Sequence, residues 1–308
     1  MPYIGRSENM YDYATACRPV EWQETHIKSL DGTDIALCVG SLSPKASRPS
    51  RHLVICYFQG NGSSPPPRLP MLSNVLKSIE TQMPTSNVHF TIVALAYRGY
   101  WTSSGRSSQP GIEKDAQALL RWVNNTYDDP NVQLGLILWG QSIGAGVAST
   151  AAAEYIRDSN LPCKAPISGL ILETPFSSIK SMLIALYPQR WLPYRYLWPF
   201  LWNFWDSELA LRKIAEAEHQ FKVFLMSATR DEVVPPGEAD KLERLCKELG
   251  LEMERKDIIG ALHTEASTRR EGQNAIARFA IEVASGGKGD ERFVHGRDSY
   301  GLHRRKMM

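Results

Sequence analysis

Short apolar runs alternate with segments of helical periodicity along most of this 308-residue chain. The run at 52–58, His-Leu-Val-Ile-Cys-Tyr-Phe, is almost continuously apolar, which is typical of a strand buried on both faces of a sheet. The predicted strands are 52–58, 88–96, 132–139, 167–172, 221–227 and 251–258. Apolar residues recur at helical spacing between them, and the predicted helices are 71–79, 112–123, 145–157, 242–249 and 276–283. Repeated strand–helix units predict an α/β fold, with a mostly parallel sheet covered by helices on both faces.

The two ends of the chain depart from this alternation. Residues 1–22 are polar without periodicity and are predicted to be irregular. Two short strands at 25–30 and 35–39 flank Asp31-Gly32, a tight-turn signal that predicts an antiparallel hairpin. Residues 286–308 are polar, glycine-bearing and basic, a composition that predicts a disordered tail. One domain is therefore predicted over 23–285.

An aromatic insert at about 175–206 interrupts the strand–helix alternation. Four of the eight tryptophans of the chain lie in it, and its prolines exclude one long helix. We interpret the insert as a short cap over the carboxyl edge of the sheet. Trp191, Trp198 and Trp202 are candidates for a substrate pocket wall or for peripheral contact with a membrane, since tryptophan favours membrane interfaces. The alternative is a cap in which these side chains only pack.

Charge and cysteine content narrow the possible partners and the compartment. The chain has 35 basic and 33 acidic residues, a net charge of +2, which makes no case for nucleic acid as a partner. Its five cysteines form no Cys-x-x-Cys pair, so neither a metal site nor a disulfide framework is expected. No secretory signal or membrane-spanning run is readable, and we expect a cytoplasmic protein. The composition does not indicate an oligomeric state.

The pentapeptide at 140–144, Gly-Gln-Ser-Ile-Gly, follows a predicted strand and precedes a predicted helix. A G-x-S-x-G in this context is typical of a nucleophile elbow, a sharp turn that exposes the serine hydroxyl. The flanking glycines fit because strand and helix nearly touch at such a turn. Ser142 is therefore the candidate nucleophile, and the alternative is an incidental turn of small residues.

Ligands of open α/β sheets bind outside the carboxyl ends of the strands, so the loops there are the places to search. The loop after 221–227 offers Asp231, and the loop after 251–258 offers His263. A serine hydroxyl needs a base to remove its proton, and histidine is suited to that task near neutral pH. A carboxylate then orients the imidazole. Ser142, Asp231 and His263 are the predicted triad, with Glu173 as the reserve acid.

A triad of this type also needs donors for the negative oxygen that forms during acyl transfer. One expected donor is the backbone N–H of Ile143, at the start of the helix after the elbow. The other is expected in the loop after 52–58, where the N–H of Asn61 is the candidate.

Four short motifs, in this order, resemble the bud-emergence type of α/β-hydrolases: YRGY at 97–100, WGQSIG at 139–144, LETPF at 172–176 and DEVVP at 231–235. The resemblance covers about residues 50–283. That group is similar to monoacylglycerol and lysophosphatidylserine lipases and to protein depalmitoylases. The resemblance implies the α/β-hydrolase fold and serine hydrolase activity on acyl esters or thioesters without a cofactor. Where that family usually has His-Gly-Asn, this chain has Gln59-Gly60-Asn61.

We therefore predict a serine hydrolase that cleaves ester or thioester bonds of a small acyl ester, a lipid or an acylated protein, without cofactor or metal. Two alternatives stay open. One is a peptidase on the same scaffold, and the other is a binding protein that keeps the fold without catalysis.

Overall fold

The structure is a computed structural model that describes residues 6–43, 49–62, 64–83, 87–159, 164–186, 203–217 and 219–286. Eight strands form one sheet in this part of the chain: β1 (Glu21–Lys28), β2 (Asp34–Ser41), β3 (Arg51–Phe58), β4 (Val88–Leu95), β5 (Gln133–Gln141), β6 (Ile167–Glu173), β7 (Lys222–Ala228) and β8 (Met253–Ile258).

The spatial order of the strands is β1-β2-β4-β3-β5-β6-β7-β8. β1 and β2 form the predicted antiparallel hairpin, and β2 joins β4 in antiparallel direction. All pairings from β4 through β3 to β8 are parallel. The prediction of a mostly parallel sheet is confirmed, as are the six strands predicted for it, with ends that differ by a few residues.

Helices cover both faces of the sheet and bury its apolar side chains. The described helices are α1 (Ala14–Cys17), α2 (Leu69–Gln82), α3 (Gln109–Thr126), α4 (Ile143–Arg157), α5 (Ile179–Leu186), α6 (Ser207–Glu216), α7 (Gly237–Glu248) and α8 (Arg270–Ala284). The core on one face includes buried residues of α3, α4, α6 and α7. The core on the other includes buried residues of α1, α2 and α8.

The register of the parallel strands brings their carboxyl ends to one edge of the sheet. Phe58 pairs with Gly140, at the ends of β3 and β5. Gln141 pairs with Glu173, at the ends of β5 and β6, and Ala228 pairs with Ile258, at the ends of β7 and β8. The loops that follow these strands therefore meet along one edge.

The N-terminal segment differs from the irregular structure predicted for 1–22. It contains a 3-10 helix, Met10–Tyr13, followed by α1, and β1 begins at Glu21. Met10 and Cys17 are buried against the α2 face. Helices this short have too few residues for a periodicity to appear in the sequence, and their tertiary contacts stabilise them.

The base of the aromatic insert is attached to the main domain. Ser178 and Asp206 form an isolated antiparallel bridge between the outgoing and returning chain. The buried carboxylate of Glu238 accepts hydrogen bonds from the Ser177 backbone N–H (2.9 Å) and hydroxyl (2.6 Å). Residues 187–202 of the predicted cap and residues 287–308 of the predicted tail lie outside the described residues.

Candidate active site

Ser142 lies at a sharp turn between β5 and α4, with φ +54° and ψ −120°. A Cβ atom added to Gly140 would lie 2.0 Å from the Gly144 carbonyl oxygen, and one on Gly144 would lie 2.1 Å from the Phe58 carbonyl oxygen. Both glycines are therefore required by the close approach of backbone to backbone. The Ser142 N–H donates to the Glu173 carbonyl (2.9 Å), which attaches the turn to the neighbouring strand β6.

The imidazole of His263 joins the serine and the aspartate predicted from the sequence. Its Nε2 lies 2.9 Å from Ser142 Oγ, and its Nδ1 lies 2.8 Å from Asp231 Oδ2. The side chains of His263 and Asp231 are 8% and 7% exposed, so both are largely shielded from water. With the ring proton on Nδ1, that nitrogen donates to Asp231 and Nε2 is left as the acceptor for the serine O–H.

The carboxylate of Asp231 is held by its own loop, which follows β7. Its Oδ1 accepts the backbone N–H groups of Val233 (2.9 Å) and Val234 (2.7 Å). The Arg230 N–H also donates to the Ala261 carbonyl (2.9 Å), which ties this loop to the one that carries His263. The imidazole therefore meets a carboxylate whose position is set by backbone groups.

Glu232 is a contact that sequence reasoning missed. Its Oε2 accepts the backbone N–H of His263 at 2.9 Å, a second link between the two loops. Only its position directly after Asp231 marks it in the sequence, and no periodicity or spacing distinguishes it from other exposed glutamates.

Glu173, the reserve acid, has different partners from those of Asp231. Its fully buried carboxylate accepts hydrogen bonds from Trp139 Nε1 (3.0 Å) and from the Ser267 backbone N–H (3.0 Å). Burial raises the pKa of this carboxyl group. The carboxylate that is hydrogen-bonded to His263 is that of Asp231. Glu173 instead ends β6 and links it to β5 and to the segment after His263.

The two candidate oxyanion donors belong to the first turn of α4 and to the loop after β3. Ile143 is the first residue of α4, and the first amides of a helix have no intrahelical acceptor. Asn61 belongs to the loop at 59–62, here called the oxyanion loop. Gly60 of this loop lies against the elbow, since a Cβ on it would be 3.6 Å from Ser142 Cβ. The role of both amides stays a prediction.

Two apolar residues of the loops that carry Asp231 and His263 are exposed, Val233 at 43% and Leu262 at 38%. The pocket candidates Trp191, Trp198 and Trp202 lie outside the described residues. Trp205, at the end of the insert, is 1% exposed and packs against Gly146 of α4.

Neither a metal centre nor a membrane span is found within the described residues. No group of histidine, cysteine, aspartate or glutamate side chains among them is arranged to hold a metal ion. No helix in the same residues has both the length and the hydropathy needed to cross a bilayer.

Several known proteins are similar to this chain in sequence. No protein-family model matches the chain. Protein bem46 of Schizosaccharomyces pombe is 29% identical over 230 residues, which cover 74% of this chain and 66% of that protein. The alpha/beta hydrolase domain-containing protein WAV2 of Arabidopsis thaliana is 26% identical over 246 residues, 77% of this chain and 70% of WAV2. Lysophosphatidylserine lipase ABHD12 of Danio rerio is 31% identical over 192 residues, which span 60% of this chain and only 45% of the lipase.

Solved structures share the fold at lower identity. An alpha-beta hydrolase from Vibrio vulnificus has a TM-score of 0.64 and 18% identity, with 92% of this chain and 88% of that chain covered. The Pyrococcus furiosus esterase Pf2001 has a TM-score of 0.60 and 17% identity, with coverage of 89% and 93%. The chain therefore has the α/β-hydrolase fold, and in sequence it is similar to bem46, WAV2 and ABHD12.

Proposed function

We propose that the protein is a serine hydrolase that cleaves carboxylic ester or thioester bonds of acyl substrates. Ser142 is the nucleophile, His263 the general base and acid, and Asp231 the group that orients the imidazole. The observation that carries the proposal is the pair of contacts made by one ring, 2.9 Å from Nε2 to Ser142 Oγ and 2.8 Å from Nδ1 to Asp231 Oδ2. These distances are within proton-transfer reach.

In the first half-reaction, His263 Nε2 accepts the hydroxyl proton as Ser142 Oγ forms a bond to the carbonyl carbon. The carbonyl π electrons move to oxygen, and the resulting oxyanion is stabilised by the amides of Ile143 and Asn61. As the carbonyl reforms, the bond to the leaving oxygen or sulfur breaks, and that atom takes the proton from His263. The product is an acyl-enzyme ester on Ser142 and a free alcohol or thiol.

In the second half-reaction, water repeats the same steps. His263 accepts a proton from the water as its oxygen attacks the acyl carbon, and a second oxyanion forms between the same amides. When this intermediate collapses, Ser142 Oγ leaves with the proton from His263. The acid is released, and the enzyme returns to its starting protonation state.

Exposed apolar residues near Asp231 and His263 in the chain, and the relatives, support an acyl substrate. Val233 and Leu262 are exposed in the loops that carry Asp231 and His263, so an acyl chain bound over these loops would cover apolar surface. One relative is named a lysophosphatidylserine lipase and one structural neighbour an esterase. The proposed substrates are therefore acyl esters, lipids or acylated proteins.

Labelling with a fluorophosphonate, which reacts with activated serines, tests the proposal directly. We expect labelling of the wild type and none of Ser142→Ala. Ser149→Ala is the matched control, since Ser149 is a buried serine of α4, the helix that begins after Ser142, and its hydroxyl donates to the Ala145 carbonyl. Absence of labelling in folded wild type, or labelling that survives Ser142→Ala, would contradict the proposal and favour a binding protein.

Substrate class is tested with p-nitrophenyl esters from acetate to palmitate, alongside peptide p-nitroanilides. We expect kcat/KM for the esters to rise with chain length, because each buried methylene contributes roughly 0.8 kcal/mol. A flat profile would argue against an acyl pocket, and faster cleavage of the anilides would favour the peptidase alternative.

A further inference from the structure

The oxyanion loop is hydrogen-bonded by side chains of a neighbouring segment. It follows the end of β3 and contains Gly62 with φ +71°. Asn61 and Gly62 are exposed. An oxyanion donor acts only when its N–H is already aimed at the developing charge. The loop must therefore be held by neighbours, and the structure shows which side chains bond to it.

Two tyrosines of the segment 97–100 donate to the two ends of the stretch 59–61. Tyr97 Oη donates to the Gln59 carbonyl oxygen at 2.9 Å, between two buried residues. Tyr100 Oη donates to Asn61 Oδ1 at 3.3 Å. The two rings also contact each other edge to face, with centroids 5.9 Å apart.

The bond from Tyr97 fixes a peptide plane. Because the peptide unit is planar, an anchored Gln59 carbonyl also fixes the direction of the Gly60 N–H and the position of the Gly60 Cα. The next peptide, which carries the Asn61 N–H, begins at that Cα. The same carbonyl lies close to α4, since a Cβ on Gly144 would be 2.7 Å from it. The plane is therefore held between the phenol and the first turn of that helix.

The segment that carries the tyrosines is itself anchored. The Tyr100 N–H donates to the Tyr97 carbonyl (2.9 Å), which closes a turn. Arg98, inside this turn, bonds the fully buried carboxylate of Asp115 (2.7 Å) and also Asp31 (2.9 Å). Burial raises the pKa of Tyr97 well above its usual value and also raises that of Tyr100, so both phenols stay protonated donors at neutral pH.

We propose that Tyr97 and Tyr100 are positioning residues that hold the oxyanion loop in the geometry in which the Asn61 N–H meets the oxyanion. Neither tyrosine is assigned contact with the substrate. The inference rests on the proposed serine hydrolase function. It assigns the two motif tyrosines a chemical task that is distinct from packing.

The test compares Tyr97→Phe and Tyr100→Phe with wild type, each at a concentration of active sites titrated with fluorophosphonate. Two quantities are measured: kcat and KM for p-nitrophenyl butyrate, and Ki for an alkyl trifluoromethyl ketone, which adds to serine as a tetrahedral oxyanion. Loss of one entire oxyanion donor lowers kcat by about 10²–10³-fold, so we expect roughly ten- to hundredfold for Tyr97→Phe and less for Tyr100→Phe. KM should stay within about twofold, and Ki should rise by the factor by which kcat/KM falls.

Tyr155→Phe is the matched control. Its hydroxyl is also buried and donates to a carbonyl, that of Ala165, at 2.9 Å, but it lies near the far end of α4. We expect this variant to keep wild-type kcat and Ki even if its melting temperature falls. If Tyr97 and Tyr100 had a purely structural role, their Phe variants would also keep wild-type kcat and Ki.

Unchanged kcat and Ki in folded Tyr97→Phe and Tyr100→Phe would overturn the proposal, as would a fall in kcat with unchanged Ki. If Tyr97→Phe does not fold, Tyr100→Phe decides by the same two measurements. Failure of the proposed function is recognised separately, because the wild type would then show neither labelling nor turnover, and the positioning role would be overturned with it.

Discussion

At the residue scale, Ser142 combines an unusual backbone with the proposed chemistry. A non-glycine residue at φ +54° and ψ −120° is strained by about 1–3 kcal/mol, which the surrounding contacts must offset. This backbone directs the side chain of Ser142 to His263, whose Nε2 lies 2.9 Å from Ser142 Oγ, which is the geometry that the proposed reaction needs.

Two substitutions of Ser142 distinguish the cost of its backbone conformation from the loss of its hydroxyl. We expect both Ser142→Gly and Ser142→Ala to lose ester hydrolysis, because each lacks the hydroxyl. Glycine adopts positive φ without a steric penalty, so Ser142→Gly should have a higher free energy of unfolding than Ser142→Ala, by roughly 1 kcal/mol. Urea unfolding measures the difference. Equal stabilities would show that the backbone at 142 is not strained.

The two carboxylates near the elbow are distinguished by a pair of isosteric changes. Asp231→Asn should lower kcat by about 10⁴-fold, since an amide favours the wrong imidazole tautomer. Glu173→Gln should lower kcat far less, because its carboxylate bonds Trp139 and Ser267 and lies outside the hydrogen bonds of His263. Steady-state kinetics of the two variants would contradict the assignment of the acid if the order of the losses were reversed.

At the scale of elements, the contact between β3 and the first turn of α4 shapes the site. Gly144 lets the helix approach so closely that a Cβ would lie 2.1 Å from the Phe58 carbonyl oxygen. This approach places the first turn of α4 next to the oxyanion loop, since the same Cβ would lie 2.7 Å from the Gln59 carbonyl oxygen. The loops after β7 and β8 then bring Asp231 and His263 to the same edge of the sheet.

Adding one methyl group to this contact should be damaging. We expect Gly144→Ala to lower the free energy of unfolding by about 1–3 kcal/mol and to reduce kcat, because helix and strand must separate. Gly237→Ala is the matched control, as a Cβ added to Gly237 at the start of α7 would have no atom within 4 Å. Thermal unfolding should show it unchanged or more stable by up to about 1 kcal/mol. Similar losses in both variants would exclude the close contact as the cause.

At the scale of the whole molecule, a largely buried histidine near the amino end of β3 makes the stability of the fold depend on pH. His52 lies near the start of β3, six residues from the carboxyl end, or about 20 Å away. Its ring contacts His89 and Tyr127, and its Nε2 lies 2.9 Å from Thr91 Oγ1. Burial lowers the pKa of His52 to about 4, with a further contribution from His89.

This lowered pKa makes the free energy of unfolding depend on pH, independently of Ser142, Asp231 and His263. The folded protein favours the neutral ring, so the unfolded chain binds more protons, and stability should fall as the pH drops from about 6.5 towards 4. The loss from this group is on the order of 2–3 kcal/mol. Urea unfolding at pH 7.5, 6 and 4.5 should show a smaller loss for His52→Gln. Parallel curves for variant and wild type would contradict this contribution.

The elements and the candidate residues could be predicted from the order of the amino acids alone. The apolar runs predicted the parallel strands because burial on two faces demands continuous apolar stretches. The pentapeptide at 140–144 identified the elbow because only glycine tolerates such close backbone contact. Ser142, Asp231 and His263 all lie just after the ends of predicted strands, and their catalytic roles stay a prediction.

Which side chains meet, in contrast, depends on how the whole chain folds. Glu173 ends β6 and Asp231 follows β7, and local sequence does not tell which carboxylate reaches the imidazole. Other contacts join loops that are far apart in the chain. The hydroxyls of Tyr97 and Tyr100 donate to the oxyanion loop, and the backbone N–H of His263 donates to Glu232. The periodicity of apolar residues indicates which side chains are buried. These contacts depend instead on strand order and register, because interactions across the whole sheet set which loops meet.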